Sequence, residues 1–131
     1  MVIDTSAILA ILNNEPETHH FNELIVSSLV RLISAATYLE TAIVVEARFG
    51  PQGVHNMKLF FSVAGLRIVP FDADQTKIAA KAYSKYGKGR HIAGLNFGDC
   101  FAYALSQFKR EPLLFKGDDF VHTDVKSCVH A

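Results

Sequence analysis

Four stretches of this chain set carboxylates where they could do chemistry. Asp4 follows Met1-Val2-Ile3, Glu40 precedes the apolar run Ala42-Ile43-Val44-Val45, Asp99 follows Gly98, and Asp118-Asp119 follow Leu113-Leu114-Phe115-Lys116-Gly117. Carboxylates gathered within ~6 Å repel and raise each other's pKa unless a cation sits among them. Hard oxygen donors of this kind suit Mg2+ or Mn2+, which keep water in their remaining positions. Such an ion lowers the pKa of its water and stabilises the charge that develops on a phosphate during in-line displacement. No histidine or cysteine is required, and the six His and two Cys of the chain show no metal-ligand spacing.

For these acids to meet, the elements carrying them must share an edge. Met1–Asp4 reads as a short strand ending in an acid, followed by a helix through Leu12 that Thr5 or Ser6 can cap. Pro16 suits the first turn of a second helix, where Phe21, Leu24, Ile25 and Leu29 recur at helical spacing. Arg31–Ser34 is a second strand. Thr37 opens a helix from Tyr38 to Phe49, closed by Gly50-Pro51, and a further helix spans 54–64. Leu66–Val69 is a third strand. Asp72 or Asp74 caps a helix to Tyr86, and a glycine-rich basic loop, 87–94, leads to a helix over Cys100–Lys109. Leu113–Lys116 is a fourth strand, and 124–129 adds a short edge strand. Strands alternating with helices predict an α/β domain with a mostly parallel sheet of four to five strands. In such sheets, sites form just beyond the carboxyl ends of the strands. Asp4, Asp118 and Asp119 are expected there, with Glu40 and Asp99 on the first turns of their helices.

Each acid also has an ordinary role open to it. Asp4 can cap a helix, Asp99 suits a helix N-terminus, and Asp118 and Asp119 suit a turn. Glu40 is the most informative, since an acid in an apolar run is costly without partners. Glu46, on the same helix, is expected to face solvent.

The four blocks Met-Val-Ile-Asp-Thr-Ser-Ala, Ser-Ala-Ala-Thr-Tyr-Leu-Glu-Thr-Ala, Leu-Asn-Phe-Gly-Asp-Cys-Phe-Ala-Tyr-Ala and Pro-Leu-Leu-Phe-Lys-Gly-Asp-Asp-Phe together resemble those of PIN-domain ribonucleases, in particular the VapC toxins of toxin–antitoxin pairs. The resemblance covers essentially the whole chain. It implies one domain over residues 1–131 with a three-layer α/β/α fold, a Mg2+ or Mn2+ site, endoribonuclease activity, a homodimer, and a VapB-like antitoxin partner. Matched position by position, it implies Asp4, Glu40 and Asp99 as metal ligands and catalytic acids, with Asp118 favoured over Asp119 as the fourth. Ser6 matches a position that supports the first aspartate by a hydroxyl contact, and is grouped with Lys88 and Arg90 on the substrate side. Asn96 looks like a structural residue of the third block. The alternative is a catalytically weak PIN-like domain that binds RNA or protein without cutting.

A phospho-receiver domain has similar length and element order. It needs an acid pair at the end of the first strand and an acceptor aspartate after the third, but the third strand here runs into Val69-Pro70-Phe71.

The 131 residues, half of them hydrophobic and ten of them Phe, exclude disorder. Scaling predicts burial of about two-thirds of the unfolded surface. No stretch approaches the ~20 apolar residues of a membrane span. Asp4 follows at once on Val2-Ile3 with no basic segment before it, unlike a signal peptide. Cys100 and Cys128 read as reduced thiols of a cytoplasmic protein. The early helices carry more apolar residues, among them Ile8, Leu9, Ile11, Leu12, Val26 and Leu29, than one narrow stripe needs, which suggests a groove for a partner or a dimer seam.

Thirteen Lys+Arg balance thirteen Asp+Glu, but the charge is segregated: net −5 over 1–46, +6 over 47–98 and −1 over 99–131. Lys77, Lys81 and Lys85 form one helical stripe, extended by Lys88 and Arg90 into the glycine-rich loop. Tyr86 beside that loop is a candidate for stacking a base. Arg90 is the favoured phosphate ligand, because a guanidinium binds phosphate bidentately. Arg90→Ala is expected to weaken RNA binding and flatten its salt dependence. An unchanged affinity and salt slope in a filter-binding titration would exclude that role.

Overall fold

A computed structural model describes residues 1–129; the last two residues of the expected 1–131 domain lie outside the described residues. The described elements are β1 (Val2–Ile3), α1 (Thr5–Leu12), α2 (Thr18–Ser27), β2 (Leu32–Ser34), α3 (Ala35–Ala64), β3 (Arg67–Val69), α4 (Ala73–Tyr86), α5 (Phe97–Lys109) and β4 (Leu113–Leu114). The four strands form one parallel sheet in the order β3-β2-β1-β4. Val2 pairs with Leu32 on one side and Leu113 on the other.

Strand residues alternate between two cores, because successive side chains leave a strand on opposite faces. Val2, Leu32 and Leu113 join Tyr86, Leu95, Ala102 and Leu105 under α4 and α5. Ile3, Ile33 and Leu114 join Ile8, Phe21, Ile25, Val45 and Met57 under α1, α2 and α3. Two apolar faces on one short sheet require helices on both sides, which is the three-layer α/β/α arrangement. The chain leaves β1 toward β2 and β3, then returns past β1 to form β4. The order therefore reverses around β1, whose carboxyl end carries Asp4.

Several boundaries differ from the sequence expectation. Asp4 rather than Thr5 or Ser6 caps α1, accepting the Ser6 N–H. α3 starts at Ala35, immediately after β2, so Glu40 lies in its second turn rather than the first. The two helices expected on either side of Gly50-Pro51 run together as α3, broken only at Gly50 with φ 66° and ψ −162°. Pro51 suits a first helical turn because it has no N–H to satisfy, so the second arm resumes without a loop. α2 stops at Ser27, leaving Leu29 beyond it and exposed. β4 is shorter than expected, and the expected 124–129 strand reduces to one bridge between Leu113 and Ser127. There Leu113 N–H donates to the Lys126 carbonyl at 2.7 Å and Cys128 N–H donates to the Leu113 carbonyl at 3.0 Å.

Arg31 ties the far end of the sheet together. Its guanidinium donates to the carbonyls of Val26 in the last turn of α2, of Ser28 just after it and of Ala64 at the end of α3, at 2.8–3.0 Å. Cys100 and Cys128 form no disulfide, and burial pushes each thiol up to about 11. Among the described residues no helix is long and apolar enough to cross a membrane.

The Gly50 conformation is one that side chains with a Cβ resist. Gly50→Ala should lower the unfolding free energy by about 1–3 kcal/mol, read from the urea midpoint at unchanged m-value.

Candidate active site

The carboxyl edge of the sheet gathers the acids, and each is anchored by the local chemistry of its own segment. Asp4 is buried at the N-terminus of α1, where its Oδ2 accepts the Ser6 N–H at 3.0 Å and the Ser6 hydroxyl at 2.7 Å. The same Ser6 Oγ accepts the Lys116 N–H at 3.0 Å, joining the end of β1 to the segment after β4. The Ser6 proton is thus committed to Asp4, so the structure shows Ser6 holding the first aspartate rather than reaching outward. The Lys116 ammonium is turned away, paired with Glu15 and, at 2.9 Å, with Glu17.

Asp99 closes a reciprocal cap at the start of α5. Its N–H donates to Asn96 Oδ1 at 2.9 Å, and its Oδ2 accepts the Asn96 N–H at 3.0 Å. This pairing satisfies two of the backbone donors that a helix start leaves free, and gives Asn96 its structural role. Glu40 comes from the opposite layer. Its Oε1 accepts the Thr5 hydroxyl at 2.8 Å, and Thr5 Oγ1 lies 2.9 Å from the buried Thr41 Oγ1, which reaches the Thr37 carbonyl. Glu46 is exposed, as its position predicts.

Asp4 and Asp99 therefore share one design. One carboxylate oxygen is tied to the backbone, and the other takes no hydrogen bond among the described residues. Burial dominates their electrostatics, with neighbouring charge adding to it. Burial pushes Asp4 up to about 6 against the lowering effect of the Ser6 bonds, and the charges of Glu40 and Asp119 push the same way. Burial also pushes Asp99 up to about 7, opposed by the Asn96 bond and reinforced by Asp4, Asp119 and Glu40.

Asp118 and Asp119 both lie exposed after Gly117, but only Asp119 bears on Asp4 and Asp99. The sequence pattern favours Asp118, and the electrostatics favour its neighbour. Adjacent residues of a turn face different ways, which a motif alone does not resolve.

Whether these side chains suit a divalent ion follows from their donors. Three segments supply hard carboxylate oxygens, each with one oxygen that takes no hydrogen bond among the described residues, and their mutual repulsion is the kind a cation relieves. Among the described residues no three His, Cys, Asp or Glu side chains close a ready-made coordination shell.

The basic loop runs directly into the Asn96 cap. It is pinned where Lys88 N–H donates to the Leu95 carbonyl and Leu95 N–H to the Tyr86 carbonyl, both at 2.9 Å. Lys77, Lys81, Lys85, Lys88 and Arg90 are all exposed. Tyr86 is buried, with His91 against its ring edge at 5.1 Å, so it is a core residue and unavailable to stack a base. A groove of about 330 Å³ borders Glu40 and Gly98 and is lined by Leu39, Ile43, Phe97 and Phe101. A larger one, about 770 Å³, runs past Arg110, Phe115 and Lys126 and is lined by none of the site acids.

Residues 1–126 match the PIN domain family, and the chain belongs to it. Within that family it is similar to Ribonuclease VapC30 of Mycobacterium tuberculosis, 51% identical over 125 residues and 95% of each chain. It is also similar to Ribonuclease VapC of Mycolicibacterium smegmatis, 52% identical over 130 residues, 99% of this chain and 100% of that one. Among solved structures, VapC20 of Mycobacterium tuberculosis, a Sarcin-Ricin loop cleaving toxin, superposes with TM-score 0.76 at 18% identity over 95% of each chain. VapBC2 from Rickettsia felis, bound to a DNA fragment from its promoter, superposes with TM-score 0.77 at 17% identity over 96% of this chain and 94% of that one. At these identities the two structures speak for the fold.

Thr5 and Gly98 are the site residues that motif reading passes over. Thr5 reads as a helix cap and Gly98 as a helix start, and only the fold brings both against Glu40.

An acid whose folded pKa lies above its unfolded value makes the folded state hold the proton more tightly. Its contribution is full below the unfolded value near 3.8 and is lost as pH rises through the folded value of about 7. With chelator present, wild-type stability should fall by roughly 1–3 kcal/mol between pH 4 and pH 8 through Asp99. Asp99→Asn keeps the cap acceptor and should remove that part of the slope in denaturation curves taken across the range.

Proposed function

We propose that the chain is an endoribonuclease, the toxin of a toxin–antitoxin pair, which hydrolyses RNA phosphodiester bonds with Mg2+ or Mn2+. The carrying observation is the pair of buried aspartates from different segments, Asp4 and Asp99, each with one oxygen tied down and one left over, facing the charges of Glu40 and Asp119. The names of the relatives at about half identity support the same reading. Asp4, Glu40 and Asp99 would hold the ion, with Asp119 preferred to Asp118 as the fourth acid. When bound, the ion supplies a low-pKa water and neutralises charge developing on the phosphate. The protein's own share is to fix the carboxylates before substrate arrives, Asp4 through Ser6 and Asp99 through Asn96. Burial of the two aspartates keeps bulk water from screening them. Lys88 and Arg90 hold flanking phosphates, since cationic side chains beside a cut site position the backbone without reading sequence.

The exposed residues Leu39, Ile43 and Phe97, with Phe101 edge-on between Phe71 and Phe97, form an apolar face beside Glu40. That face supports a homodimer. An antitoxin is the second partner, and the solved toxin–antitoxin complexes of similar fold support it. Its seat is the apolar side of α1 and α2 and the groove lined by Leu12, Val45 and Phe49. The reaction belongs in the cytoplasm, where Cys100 and Cys128 stay reduced.

A cleavage assay on a structured RNA decides the reading. Mg2+ or Mn2+ should support cutting, excess chelator should abolish it, and Asp4→Asn and Asp99→Asn should each lower the rate by about 100-fold or more. Full activity in either variant would refute the site, and RNA binding without cleavage by the wild type would leave a non-cutting PIN module.

A further inference from the structure

Gly98 occupies the first turn of α5, a position where alanine is normally better by about 0.5–1 kcal/mol. Its backbone gives no reason for glycine, because the positive-φ glycines are Gly50, Gly65, Gly89, Gly94 and Gly117. What excludes a side chain is Glu40. A Cβ at Gly98 would lie 2.0 Å from Glu40 Oε2, 2.9 Å from its Cδ and 3.2 Å from Oε1. On its other side the Glu40 carboxylate accepts the Thr5 hydroxyl at 2.8 Å. Thr5 is buried and backed by Thr41, which is completely buried. Glu40 has a long flexible side chain, so a Cβ at Gly98 would displace the carboxylate rather than the fold.

We propose that Thr5 and Gly98 are positioning residues that clamp the Glu40 carboxylate, Thr5 by its hydroxyl and Gly98 by the space a Cβ would fill. The clamp joins α1, α3 and α5, so the acid from one helical layer is set against those at the sheet edge. It rests on the reading of Glu40 as a ligand of the divalent ion. Groups that orient ligands in this way are worth about 10–100-fold in metal affinity or activity.

The test uses the full chain and Mn2+ alone, with thermal midpoints, the Mn2+ dissociation constant by calorimetry, RNA cleavage, and the 13C resonance of the Glu40 carboxylate. Gly98→Ala should keep or raise the midpoint, shift the Glu40 resonance, and weaken Mn2+ binding by about 10-fold with a matching fall in kcat. Thr5→Val should do the same, while Thr5→Ser, which retains the hydroxyl, should recover most of the loss. On a Glu40→Ala background neither Gly98→Ala nor Thr5→Val should cost anything further. Wild-type Mn2+ affinity and an unmoved Glu40 resonance in Gly98→Ala, or losses that add in full to those of Glu40→Ala, would overturn the clamp. If the wild type neither binds Mn2+ nor cuts RNA, the proposed function fails, and the Glu40 resonance still decides the clamp by itself.

Discussion

Asp4 and Asp99 are carried into the protein against two opposing forces, loss of hydration and repulsion from each other and from Glu40 and Asp119. Much of the architecture is what makes that arrangement tolerable. Each aspartate is placed at a helix start, where backbone N–H groups need acceptors and the helix dipole favours negative charge. Each surrenders one oxygen to that need: Asp4 to Ser6, Asp99 to Asn96. The remaining cost stays in the structure as raised carboxyl pKa values. The divalent ion proposed for this edge would relieve that deficit, because opposite charge favours the ionised carboxylates.

The parallel sheet explains how acids so far apart in the chain reach one edge. Every strand runs the same way, so every strand delivers its following residue to the same side. Reversal of the order around β1 leaves Asp4 central, with the β2-to-α3 segment on one flank and the β4 exit on the other. Ser6 bonded to the Lys116 N–H and Thr5 bonded to Glu40 fasten those flanks to α1. The neutral overall charge is consistent with this layout. Acids cluster at the early and late segments that build the edge, and bases cluster on α4 and the loop before Asp99.

Much of this was legible from residues alone, for reasons that can be named. Two-residue strands such as Val2-Ile3 and Leu113-Leu114 are readable because each is a short apolar run bounded by an acid, a proline or a glycine. Asp4, Glu40 and Asp99 stand out because they interrupt or end apolar runs. Boundaries were harder. The helix expected from Thr37 begins at Ala35, since Ser34 adopts the extended cap conformation directly from the strand. Tyr86 looked available beside a basic loop, but its ring completes the core under α4 and α5, where the apolar burial of a tyrosine outweighs exposure.

Local chemistry acting between near neighbours is what the sequence by itself determined: the order of strands and helices, the parallel α/β class and the family. The tertiary structure decided what depends on distance between remote segments. It turned the Lys116 ammonium away toward Glu15 and Glu17, and brought Thr5 and Gly98 to either side of Glu40. Those outcomes follow from packing three layers against one another. A hydroxyl at residue 5 and a missing Cβ at residue 98 acquire meaning only when a carboxylate from residue 40 lies between them.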